Sequence, residues 1–237
     1  MKFVVFDVTA DLAQFKKPFT TMSPQTFGFP TGTALVGMIA AIVGLDKKKY
    51  WSHFPENDYR IAVGLVKGYP LKKVVVPINT LKTTSPSHFY RFVEHKRTTM
   101  EFVKDACYRI WFAWQDTEQF NMLRQNLSNH ASYYTLSLGL AWNLADFKYI
   151  GCYEGIEKST PDVYNDIHSV IDKSAVLEID FANRKIFSNC IPVRMKTDNS
   201  RQVEQYGEYL FESEGYPIRA KVNKYVEMEN GDCVVPL

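Results

Sequence analysis

Apolar positions along the chain fall into one long block and a series of short runs, and the two kinds of pattern predict different elements. The block covers residues 34–45, uncharged and mostly apolar, preceded by Thr33 and closed by Asp46-Lys47-Lys48-Lys49. A membrane span needs about 18 or more such residues, so this length predicts a buried helix. Gly37, Ala40, Ala41 and Gly44 fall on one face of it, beside a bulky stripe of Leu35, Met38, Ile39 and Ile42. Thr31 or Thr33 is the expected N-cap, and the three lysines suit the negative end of the helix dipole. A lead-in rich in lysine and hydroxyls (Lys16, Lys17, Thr20, Thr21, Ser23) comes before it. A helix N-terminus fed by such a loop is a place for a phosphate, whereas the plain alternative is a core helix with a solvated approach.

The short runs predict strands. Residues 2–8 and 108–114 are β-branched or aromatic without breakers, 60–67 reads as a further strand, and residues 72–78 are extended after Gly68-Tyr69-Pro70. Asp116 with Gln119 three residues on forms a capping box, followed by Phe120, Leu123 and Leu127 on one helical face. A strand around 147–153 completes the order strand, helix, strand, strand, helix, strand. That order predicts an α+β fold of the ferredoxin-like or RNA-recognition-motif kind. Residues 79–99 have no helical period and interleave basic with aromatic residues, which predicts a projecting basic β-hairpin arm at about 72–104. The expected organisation is a domain over 1–155 carrying that arm, then a smaller β-rich part over 156–237. Extended segments in the latter are expected at 175–181, 185–193, 208–211, 218–226 and 233–235, with 157–172 loop-like or weakly helical.

Charge changes the picture through its distribution. The whole chain carries only +2, with 46% hydrophobic residues. Residues 67–97 hold Lys67, Lys72, Lys73, Lys82, Arg91, Lys96 and Arg97 against Glu94, seven minus one, or +6, and the remainder is therefore −4. A local basic surface on a mildly acidic protein points to a polyanionic partner. Lys2 precedes only a short apolar run broken by Asp7, which is unlike a signal peptide, and the expected location is cytoplasmic with no membrane partner. Cys107, Cys152, Cys190 and Cys233 are too widely spaced for a zinc motif or a disulfide framework, so buried free thiols and no cofactor are expected.

Three stretches resemble the Cas five family of CRISPR-associated proteins, a branch of the RAMP superfamily built on a modified RNA-recognition motif. The first is Phe15-Lys16-Lys17-Pro18 through Phe29-Pro30 to Thr33-Ala34-Leu35-Val36-Gly37 and Gly44-Leu45, where Thr31-Gly32 replaces the family's double proline. The second is Arg97-Thr98-Thr99 with 101–105 and Tyr108-Arg109-Ile110. The third, Tyr134 to Leu140 with Phe147 to Gly151, is similar to the family's glycine-containing loop, although Trp142-Asn143 stand where an acidic residue is usual. The pattern is nearest to type I-B members. The resemblance implies a non-catalytic subunit of a Cascade-type surveillance complex that binds the 5′ handle of CRISPR RNA. Its implied protein partners are the repeating backbone subunit and the large subunit.

Such a binder needs phosphate donors, flat side chains for unstacked bases and a close main-chain approach. Lys16, Lys17, Thr20, Lys82, Arg91, Lys96 and Arg97 are the candidates for phosphates, Phe89 and Tyr90 (with Phe92) for stacking, and Gly139 for the close approach. The alternative is a metal-independent endoribonuclease that processes precursor CRISPR RNA, with His95 as base and Lys96 steadying charge. Neighbouring strand residues face opposite ways, which weighs against that pair. Asp162, Asp166, His168 and Asp172 offer a second rival, a metal site, but their spacing does not converge on one helical face. A protein-only adaptor whose basic arm grips an acidic partner is the third rival.

Overall fold

A computed structural model describes residues 1–20, 22–81, 95–196 and 202–237, the side chains of Leu81 and Met195 excepted. Strand β1 (Lys2–Ala13) is central because Phe3, Val4, Val5, Phe6 and Val8 are all buried, so both of its faces are covered. It pairs antiparallel with β4 (His95–Trp114) on one side and with β5 (Asp146–Lys158) on the other. Strand β2 (Tyr59–Leu65) pairs with the far edge of β4, giving the order β2-β4-β1-β5.

Helix α1 (Gly32–Val43) is capped by Thr31, whose hydroxyl accepts from the Ala34 N–H, and it ends at Gly44 with φ of 84°. Its lysines lie beyond the last turn, which contains no basic residue, so the dipole pairing expected of them is not made. Helix α2 (Thr117–Ser128) is capped by Asp116, which accepts from the Gln119 N–H at 3.1 Å. The reciprocal half of the capping box is missing, since the Gln119 side-chain oxygen is buried without a partner. Both helices lie on one face of the sheet, over Phe6, Val8, Tyr108, Ile110 and Phe112. The small-residue face of α1 is tight at one end and open in the middle. A Cβ at Gly44 would come within 2.6 Å of the Tyr133 ring, while at Gly37 it would meet only the Tyr50 hydroxyl at 3.8 Å.

The opposite face of the sheet is covered by the C-terminal strands. Phe3, Val5, Trp111 and Ala113 pack there against Val226, Met228 and Val234. Strand β5 joins the two halves: residues 146–154 pair with β1, and Gly155 to Lys158 pair with β12 (Tyr225–Met228). The sheet then runs on through β13 (Cys233–Val234), β6 (Asn165–Ile167), β11 (Ile218–Val222) and β8 (Val176–Ile179). A separate three-stranded sheet holds β7 (Ile171–Asp172), β10 (Val203–Glu212) and β9 (Ile186–Met195). The protein is thus strand-rich α+β with a curled sheet, and 157–172, expected to be loop-like or weakly helical, supplies two short strands. The expected single segment 218–226 divides into β11 and β12.

Candidate nucleic-acid interface

The arm is rooted in the sheet. Strand β3 (Lys72–Leu81) pairs antiparallel with the first half of β4, from Lys72 opposite Lys104 to Leu81 opposite His95. The ribbon runs further than the apolar pattern indicates because polar residues continue the pairing, as at Asn79 opposite Arg97 and Thr80 opposite Lys96. One of its faces is half-buried, with Val74, Val76 and Ile78 beside Phe102 and Met100, and the other is open. Val75 on the open face is 66% exposed.

The basic lead-in lies along the root of this ribbon. Residues 16–26 close on themselves through Lys17 N–H to the Gln25 carbonyl, and they meet β4 through Glu101 N–H to the Pro24 carbonyl at 2.8 Å. Glu101 holds the junction: its carboxylate accepts from Lys73 Nζ and from the Thr26 N–H, both at 3.0 Å. Burial works to raise this carboxyl, but the bonds from Lys73 and Thr26 and the charges of Lys73 and Lys17 together outweigh it and hold it below the usual carboxylate range. Gln14 adds a third tie, donating from Nε2 to the Glu101 carbonyl at 3.0 Å. Tyr108 anchors the turn that follows, donating its hydroxyl to the Gly28 carbonyl. Burial pushes its phenol far above the ordinary value, so it stays a donor.

The sequence candidates separate on this frame. Lys16, Lys96 and Arg97 are exposed, Lys17 is half-buried over the Phe27 ring, and none of the four has a carboxylate partner among the described residues. The Thr20 hydroxyl is occupied inside the loop, donating to the Lys17 carbonyl and accepting from the Gln25 N–H. Gly139, with φ of 93°, lies against Gln14: a Cβ there would stand 1.7 Å from the Gln14 carbonyl oxygen. The close approach that Gly139 permits is therefore one between two loops of the protein. Lys82, Phe89, Tyr90 and Arg91 lie outside the described residues. The N-terminus of α1, read as a possible phosphate seat, faces β9 instead, with the Val193 carbonyl 2.4 Å from where a Gly32 Cβ would be.

Sequence reasoning missed three exposed apolar side chains beside these cations. Phe19 and Met22 project from the lead-in at 75% and 73% exposure, and Trp142 projects from the Gly139 loop at 60%. For Phe19 and Met22 the signal was available, since they sit in a polar, proline-bearing loop where an apolar residue has no core to join, whereas Trp142 stands among apolar neighbours, of which Leu136 and Leu138 are buried.

The other candidate chemistries find their residues used elsewhere. His168 Nδ1 accepts from the Cys233 N–H, Asp172 caps Ser174, and no group of three or more His, Cys, Asp or Glu among the described residues could hold a metal ion. The four cysteines are free, but Cys190 is exposed, contrary to expectation, and only Cys107 is buried. Burial, with Asp7 nearby, pushes the Cys107 thiol up to about 12. No helix among the described residues is long and apolar enough to cross a membrane.

With that geometry in place, likeness to known proteins is informative. The family model described as CRISPR-associated protein (Cas_Cas5) matches residues 3–113, from β1 through the arm to the end of β4. The likeness to the Cas five family seen in the sequence is borne out by this match. A CRISPR protein from Archaeoglobus fulgidus superposes over 100% of this chain and 99% of its own, with a TM-score of 0.59 and 12% identity. A chain of a CRISPR RNA-guided surveillance complex covers 93% of this chain and 92% of its own, at TM-score 0.50 and 12% identity. A chain of a Type III-B Cmr-beta complex bound to cognate target RNA and AMPPnP covers 93% and 86%, at 0.50 and 8%. At these identities the likeness is one of fold. No curated protein matches the sequence.

Proposed function

We propose that the protein is a non-catalytic subunit of a type I, Cascade-type CRISPR surveillance complex that binds the 5′ handle of CRISPR RNA. The observation that carries this reading is the root of the arm, where Lys16, Lys17, Lys96 and Arg97 stand without carboxylate partners among the described residues. Phe19, Met22 and Trp142 lie in the neighbouring loops. Cations that track a backbone, interleaved with exposed apolar side chains on which bases can stack, are what a single strand requires. The strand order β2-β4-β1-β5 with both helices on one face supports the ferredoxin-like, RNA-recognition-motif description of residues 1–155. The family likeness supports contacts with the repeating backbone subunit and the large subunit, a place nearest type I-B, and work in the cytoplasm.

A binding role is favoured over cleavage by the ribbon itself. His95 stands opposite Leu81 and Lys96 opposite Thr80, so the two side chains leave opposite faces of a two-stranded ribbon, which weighs against their acting on one atom. Filter binding of single-stranded repeat RNA across a salt series tests the proposal. With about four to six phosphates neutralised, log K against log[salt] has an expected slope of roughly −3 to −4, and a flat response overturns it. Incubation of the same RNA with chelator present is expected to leave it intact. A cut at one position, abolished by His95→Ala, would establish the processing endoribonuclease instead.

A further inference from the structure

Tyr216 collects two cations that the rest of its surroundings would predict to be neutralised. Across the C-terminal strands charge is matched pair by pair: Lys185 with Glu214, Lys173 with Glu208, Lys221 with Glu178 and Arg219 with Asp180. Arg184 is an exception. It donates from Nε to the Pro217 carbonyl at 3.2 Å and from Nη1 to the Asn183 carbonyl at 3.1 Å, and it has no carboxylate partner among the described residues. Its guanidinium lies 5.1 Å from the centroid of the Tyr216 ring. Lys67 Nζ lies 5.2 Å from the same centroid and likewise has no carboxylate partner among the described residues. The ring's quadrupole attracts each cation, but two like charges gathered on one ring repel each other, and an anion between them relieves that repulsion.

The platform is rigid and sits at the root of the arm. Buried Glu212 accepts from the N–H groups of Lys185, Glu214 and Tyr216, which fixes the turn and leaves that carboxylate occupied. Gly215, at φ of 79°, lies so close to the end of β2 that a Cβ would come within 2.6 Å of the Val66 main chain. The Leu71 N–H, just ahead of β3, donates to the Ser213 carbonyl at 2.7 Å. Beside the ring opens a cleft of about 410 Å³, lined by Lys67, Arg109, Trp111, His168 and Asp232. Its two carboxylate neighbours are engaged: Asp7 by Arg109, and Asp232 by Trp111 Nε1 and Asn230 Nδ2. Two exposed aromatic residues flank the cations, Tyr69 two positions after Lys67 at 47% and Phe181 three before Arg184 at 64%.

We infer that Lys67 and Arg184, held on Tyr216, form a phosphodiester-binding site that carries the RNA strand past the root of the arm onto the C-terminal strands. The inference rests on the RNA-binding reading above and extends it from Lys67, within the region matched by the family model, to Arg184 and Tyr216 beyond it. Filter binding of single-stranded repeat RNA across a salt series reads it directly. Lys67→Ala and Arg184→Ala are each expected to shrink the slope of log K against log[salt] by about 0.7, and Lys67→Arg to restore it. Lys185→Ala makes the same charge change next door but removes a cation already paired with Glu214, and is expected to leave the slope within about 0.2 of wild type. Tyr216→Leu, checked by thermal melting for intact folding, is expected to weaken binding about threefold to tenfold, within the range of a lost cation–π contact. Equal slopes for wild type, Lys67→Ala and Arg184→Ala, with a reduced slope for Lys96→Ala/Arg97→Ala, would overturn this site and leave the arm reading intact. A flat salt response of the wild type would overturn both.

Discussion

The root of the arm and the C-terminal sheets are built from the same kind of strand, yet they treat charge in opposite ways. At the root, Lys16, Lys17, Lys96, Arg97 and Lys104 form no ion pair with a carboxylate among the described residues, Lys73 is engaged by Glu101 as a structural tie, and Lys72 stands 4.0 Å from Asp105 on the exposed edge. Further on, Lys158, Lys173, Lys185, Arg194, Arg219, Lys221 and Lys224 each have one: Glu227, Glu208, Glu214, Glu56, Asp180, Glu178 and Glu157. A count of basic residues would rate the two regions alike. What differs is whether a cation is left to attract a distant polyanion or is neutralised at home, and only the first contributes strongly to steering and counterion release.

The contrast yields its largest test in RNA affinity. Alanine at Lys17, Lys96 and Arg97 together is expected to reduce the salt slope by about 2, which amounts to more than tenfold in affinity between 50 and 200 mM salt. Alanine at Lys173, Lys221 and Lys224 removes as much positive charge and is expected to leave the slope nearly unchanged. Equal losses in a binding titration would show that net charge alone matters.

A smaller effect, on stability, tests what holds the root together. Gly139→Val places a β-branched side chain at φ of 93° and against the Gln14 carbonyl, from which Gln14 reaches on to Glu101. The expected loss is about 3 kcal/mol or more, seen in denaturant unfolding, from strain and overpacking combined. Gly37→Ala, in the open middle of α1, is expected to gain up to about 1 kcal/mol through helix propensity.

The pH dependence of the junction is weaker again. Glu101 has a folded-state pKa below its unfolded value, so the stability it contributes is fully present above the usual carboxylate range and is lost as pH falls through the lowered value. The protection factors of the Thr26 and Glu101 amides in hydrogen exchange, which report separation of the lead-in from β4, are therefore expected to fall as pH drops below the usual carboxylate range in wild type. In Glu101→Gln that acid step is expected to vanish. The smallest effect belongs to the exposed C-terminal pairs: Glu157→Gln, opposite Lys224, is expected to cost less than about 1 kcal/mol in the same unfolding assay.

The sequence by itself determined the parts that are local. Thr31 caps α1 and Asp116 caps α2 because a short polar side chain before an apolar helical period has an N–H within reach. The runs at 2–8 and 108–114 read as strands because β-branched and aromatic residues with no breaker fit a buried pleated surface, and 60–67 does so despite Gly64. The basic arm was legible as charge and aromatic interleaving without a helical period. Tertiary structure decided the rest. Strand β4 continues back to His95 through polar residues because β3 pairs with it, and a hydrogen-bonded partner does not require apolar side chains. Gly139 is spoken for by Gln14, and the N-terminus of α1 by β9, through main-chain approaches that leave no periodic trace in the sequence. Lys67, Arg184 and Tyr216 lie far apart along the chain, and what brings them together is a turn buried on Glu212 and pressed against the end of β2. Pairing of charges is a property of distance, and distance between remote residues is set only when the sheet closes.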